Sequence, residues 1–335
     1  MQQVFIEAAV LALTEFPNLS CLSYIGLRDK SQVSQLPSWV PDYTVPLTIK
    51  PLASSDRFCA GTAWQTRAEI SASVPPTLTL EGAYVDAVSA VCAAYWRASE
   101  PNGIPNLINL VINPVPVSLK PDMSFMDQQL CNTLHAEFYN RSGQVDPIAI
   151  SEKIEDSFQR WMFRQTYFAL TRKDDQVANS FLLEPNATFE SAMHALGVSG
   201  PLDLLTGSLS GHFRDDIWTK LTLISRQDSL EQLFSIFANV FENDIFTNSW
   251  ADVCANRSVF RTEKGYMGLG PSWMLPGDRV YIVKGAAVPY VFRPISAKGE
   301  TVFELEGDIY IRGIMEGESE TMLGRPLKWS EIVVH

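Results

Sequence analysis

Histidine and paired cysteine are what this sequence has least of. Four histidines occur in 335 residues, one of them the last, and neither HExxH nor CxxC is present. "HAEFY" at His135 lacks the second histidine, and His212 with Asp215 or Asp216 reads as a side-chain pair along one helix face. A metal site is therefore not expected. Five cysteines, odd in number and far apart (Cys21, Cys59, Cys92, Cys131, Cys254), form no disulfide framework and point to a reducing compartment.

Other absences narrow the function classes. There is no run of about 18 uncharged apolar residues, which removes a membrane span. The first stretch has no basic segment and carries Glu7 inside its apolar run, so it reads as an amphipathic helix rather than a signal peptide. A cytoplasmic protein is expected, in which the Asn-x-Ser/Thr triplets at Asn18, Asn140, Asn186 and Asn256 carry no glycan. The net charge is −12 and the 26 Lys and Arg are dispersed, which excludes nucleic acid as a partner. No Walker motif and no GxSxG elbow occur. "GYMGLGP" from Gly265 leads into more strand-like sequence and not into a helix, so it is no dinucleotide fingerprint. No cofactor is expected.

What the chain does have is an ordinary globular balance, 46% apolar and 19% charged, with length enough for about two domains. Its periodicity changes twice. Residues 1–123 hold a helix over Val4–Leu13, a short strand-like "LSYIGL", a proline-rich loop and a strand pair within 60–96. Residues 124–262 place apolar side chains at i, i+3, i+4 and i+7 and read as a helical region. Residues 263–335 return to period two, in short runs split by Pro-Gly-Asp, Lys-Gly and Glu-Gly-Asp turns. The expected fold is α+β: a small antiparallel β-barrel or sandwich, formed by the N- and C-terminal segments, with a large helical insertion.

Aromatic residues are plentiful, with 8 Trp, 10 Tyr and 18 Phe. In "QLPSWVPDYTVP", residues 35–46, three prolines stiffen an irregular connector and Trp39 gives it something large to bury. Its indole N–H needs an acceptor, and Asp42 is the nearest in sequence. "FQRWMFRQTYF" sets Trp161 and Tyr167 among rings that nearly encircle one helix. Such walls suit a core, and equally a cavity for a large apolar ligand.

"LPSWVPD" at 36–42, together with "GYMGLGP", "VPYVFRP" and "GDIYIRGIMEGE" between Gly265 and Glu318, resembles the C-terminal region of fungal heterokaryon-incompatibility (HET) domain proteins. There such a tryptophan loop follows the signalling domain and a terminal β-unit closes the chain. The likeness covers both ends and not the helical middle. It begins near Cys21, so the HET domain is expected to be missing, and cell-death activity residing there does not carry over. The norbornene-forming cyclase of the antibiotic sordarin looks like a comparable stand-alone protein, which implies a biosynthetic role.

Two functions follow as expectations. The first is a cofactor-independent cyclase of fungal secondary metabolism, performing a Diels-Alder-type cycloaddition on an apolar terpenoid-like small molecule. Such a reaction moves no proton; it needs orientation and one donor to a carbonyl. The donors expected are Arg293, Tyr290 and Tyr266, with Trp39, Tyr43, Trp273, Trp161 and Tyr167 lining the substrate cavity. The second is a non-enzymatic HET-related interaction or regulatory module. For every residue named, packing in the fold is the competing role.

Overall fold

The computed structural model describes residues 2–15, 19–26, 36–54, 58–61, 68–92, 254, 256–297 and 300–335. The chain divides into two compact units, Met1–Val91 with Ala255–His335, and Cys92–Cys254. The helical segments expected over 124–253, with Trp161 and Tyr167, lie outside the described residues, apart from which the first unit can be built up strand by strand.

Its centre is β2 (Leu78–Val91), whose alternating small and branched residues suit a strand that is contacted on both edges. On one edge Leu78–Ala83 pair with Trp329–Val334 (β9), and on the other Gly82–Ala87 pair with Arg279–Val283 (β5). Irregular register between Tyr84 and Asp86 and between Val88 and Ala90 then turns β2 toward a third partner, Arg257–Thr262 (β3). A bulge bends and twists its strand, which is how one strand can serve two sheets. Glu69–Ile70 (β1) adds a short pairing at the start of β2.

The C-terminal strands complete the sheet. Met267–Pro271 (β4) pairs with β3, and Tyr310–Ile311 (β8) with β4. Tyr290–Ala297 (β6) and Glu300–Asp308 (β7) form a hairpin beside β5. β7 meets β9 at Phe303 and Val334, so β2, β5, β6, β7 and β9 make a closed ring. Inside it and under β3 and β4 lies a core of Val85, Val88, Phe260, Met274, Val280, Ile282, Val291, Ile309, Ile311 and Ile314. Helix α1 (Gln2–Glu15) buries Ile6, Ala9 and Leu13 along one stripe, and α2 (Ser319–Leu323) precedes β9. No helix among the described residues is long and apolar enough to cross a membrane.

Three expectations change. The ring is mixed, because β7 and β9 run parallel where it closes, and a pairing between segments 31 residues apart leaves no local turn signal. The described part of "LSYIGL" is not a strand: Leu22–Tyr24 belong to a 3₁₀ turn over Ser20–Tyr24, in a run too short for periodicity to decide. The strands begin at Arg257, inside the segment expected to be helical through 262; Asn256, at positive φ, breaks the chain just before it.

Candidate functional site

The proline-rich loop is fastened before it is displayed. Ser38 donates its N–H to the carbonyl oxygen of His335 at 2.8 Å, its hydroxyl donates to the same oxygen, and that hydroxyl accepts from the Leu305 N–H at 2.9 Å. One serine thereby ties β7 to the end of β9. Trp39 beside it is fully buried. Its indole N–H points to the Pro76 carbonyl at 3.4 Å and not to Asp42, the partner expected from sequence. Asp42 instead accepts from Thr44, at 2.9 Å from the amide and 2.6 Å from the hydroxyl, folding the chain into a local turn. "LPSWVPD" is thus a latch, a plug and a turn in sequence.

That turn projects Tyr43 outward, 61% exposed, with its ring braced edge-on by Phe5 of α1 (centroids 5.2 Å apart, planes at 79°). Burial of part of the ring pushes its hydroxyl pKa up, and the nearby Cys21 adds to this. Tyr24 from the 3₁₀ turn (45% exposed) and Leu47 (41%) stand alongside. Together with Gly26, Pro41, Asp42, Val45 and Pro46 they line a pocket of about 180 Å³. Its size suits one side chain, because pockets that enclose small-molecule ligands run from about 300 Å³ upward.

The other residues singled out in the sequence lie elsewhere. Arg293 is gripped by Asp278 through Nε and Nη2, both at 2.9 Å, by Glu306 through Nη1 at 2.9 Å, and by the Trp273 carbonyl at 3.1 Å. Trp273 returns its indole N–H to the Glu306 carbonyl at 3.0 Å. Partial burial lowers the guanidinium pKa, but Asp278, Glu306 and Glu304 raise it further, so the net shift is upward. This is a bracket between β6, β7 and the turn at 272–278, and four of the five guanidinium hydrogens are engaged in it. Tyr290 was expected to project a hydroxyl into a cavity; it is fully buried, 3.0 Å from the Ser23 hydroxyl and 3.3 Å from the Leu19 carbonyl. Burial there holds its pKa far above the ordinary tyrosine range. Tyr266 is half-buried against the core, and burial, followed by the Asp86 carboxylate, raises its pKa.

Of the described residues expected to form a site, only Tyr43 lines the pocket. Tyr24, Leu47 and the brace from Phe5 were missed, and exposure of a tyrosine leaves no mark in a single sequence. Also missed was the buried pair Arg257–Asp308 at 2.5 Å, in which Arg257 further donates to the Lys50 carbonyl while Asp308 accepts from the Leu52 N–H. Among the described residues no group of three or more His, Cys, Asp and Glu is placed to hold a metal ion.

Comparison with known proteins bears on what such a unit is. Residues 225–325 match the family model of the Het-6 beta-barrel domain. A 59-residue stretch, 18% of this chain, is 46% identical to "Heterokaryon incompatibility protein 6, OR allele" of Neurospora crassa. That stretch is 9% of the Neurospora protein, so the chain matches less than a tenth of its relative's length. No solved structure matches.

Proposed function

We propose that this strand unit is a non-enzymatic interaction module related to those of fungal heterokaryon incompatibility, and that it binds a protein partner through the Tyr24–Tyr43–Leu47 face. One observation carries the reading. The side chains best suited to polarise a substrate carbonyl, Arg293 and Tyr290, are engaged inside the fold, while three large side chains stand exposed around one shallow pocket. Exposed aromatics that cluster at a braced loop are a mark of binding surfaces. A cycloaddition cyclase would need the reverse arrangement, an enclosed apolar cavity with a spare donor aimed into it. The partner is a protein and not nucleic acid, since the net charge is −12. A cytoplasmic setting suits the free thiols of Cys21 and Cys59.

The test is site-specific photocrosslinking in a fungal cell. With a benzophenone amino acid in place of Leu47, a discrete crosslinked protein is expected; with the same group at Val74, which is 98% exposed, it is not. Identical patterns from both positions would sink the proposal.

A further inference from the structure

We infer that the pocket under Tyr43 takes a basic side chain, arginine before lysine, from the partner protein; the inference rests on the docking role proposed above and names what that site recognises. Its walls are two tyrosines and two prolines, with a single ionisable carboxylate, Asp42, and no Lys or Arg among the described lining residues. A guanidinium can lie flat on a phenol ring and keep its charge beside a carboxylate. Tyr43 is suited to this because Phe5 holds its ring at a fixed angle, so less side-chain freedom is lost on binding. Its hydroxyl pKa is moved up, so the ring stays neutral and does not itself act as the anion.

Among the described residues, charge at the pocket has the matching sign. Asp42 Oδ1 accepts from Thr44, and the carboxylate brings negative charge to the described wall of the pocket. Helix α1, which touches Tyr43 through Phe5, carries Glu7 and Glu15 and no basic residue. The chain as a whole is at −12. A field of that sign draws in cationic segments and repels acidic ones before contact. The volume of about 180 Å³ accommodates one long side chain and leaves the peptide backbone outside.

The experiment uses the whole chain, with amide NMR shifts as readout, and four capped pentapeptides, Gly-Ser-X-Ser-Gly, in which X is arginine, lysine, norleucine or glutamate. The arginine peptide should move the amides of Gly26, Tyr43, Thr44 and Leu47 and bind at least about fivefold more tightly than the norleucine peptide. Tyr43→Ala should weaken it about fivefold, and Tyr43→Phe by less than about twofold, since the ring and not the hydroxyl does the binding. Asp42→Asn retains an oxygen for Thr44, so the turn survives, and it should weaken binding about threefold with a flatter dependence on salt. Norleucine binding as tightly as arginine, or no shift with any peptide, overturns the inference. A Leu47 crosslink that persists in either case leaves the docking role standing, whereas arginine-selective binding without a crosslink removes the docking role alone.

Discussion

At the scale of single residues, the positions that stand out in the sequence are mostly structural, and their cost on removal can be stated. Trp39 fills core under the loop, so Trp39→Ala should lower unfolding free energy by about 3–5 kcal/mol in urea titration. Intact stability with lost partner binding would make it a contact residue instead. Cys21 supplies a pH dependence. Burial pushes its thiol up to about 11 from an ordinary value of 9.0, so the folded state holds its proton more tightly than the unfolded chain. The stability this gives is full below pH 9 and fades as pH rises through 11, amounting to no more than about 2 kcal/mol for a partly exposed group. Cys21→Ala should flatten the alkaline limb of a Tm-against-pH curve; an unchanged limb would refute the assignment. That Trp39 is buried was readable from an indole held between prolines. That its N–H reaches Pro76, 37 residues on, was not, because hydrogen-bond partners across a fold leave no local pattern.

Strands and turns were legible where short-range chemistry decides them. The runs at β5, β6 and β7 alternate between glycine-bearing turns, and each formed where period two placed it. β3 was not legible, since "RSVFRT" is too short to separate from the helical pattern before it, and its buried Arg257 defies the usual placement of a charge. Its reason is Asp308, 51 positions away. Asp308→Ala would leave that guanidinium buried without its anion, and a loss of about 3–5 kcal/mol is expected in urea unfolding. Asp308→Asn, which keeps an acceptor for Leu52 or Arg257, should lose less; equal losses would show that the charge pairing is immaterial. The glycines of "GYMGLGP" also act at this scale. A Cβ on Gly268 would stand 2.5 Å from the Tyr310 carbonyl and from the Phe260 ring, so that glycine serves the close approach of β3, β4 and β8 and not a phosphate.

For the strand unit taken whole, the informative feature is the ring, because it joins segments from both ends of the chain. β2 supplies hydrogen bonds to β9 on one edge and β5 on the other, and β9 reaches β7 only at Phe303–Val334, with Ser38 binding the same junction from outside. The strands within 60–96 were readable as candidates to join the C-terminal ones; the parallel closure was not, because no turn connects its partners. β9 is paired to β2 along its length and joined to β7 at its end, so it should not fray by itself. Releasing β9 would strip Leu78–Ala83 of β2 of their pairing on that edge and uncover Leu78, Leu80 and Ile332, all fully buried, so its opening should coincide with unfolding of the ring. In native-state hydrogen exchange, the amides that pair β2 with β9 should therefore exchange with one common free energy, close to that of global unfolding. The two-residue β8, paired along one edge to β4, should exchange through smaller openings. Ser38→Ala removes the outer fastening, and it should lower protection at Leu305 and His335 by about 1 kcal/mol while the β2–β9 amides stay tied together. Separate exchange of β9 in the unmodified protein, faster than β2 by orders of magnitude, would mean that the closure is a contact and not a structural joint.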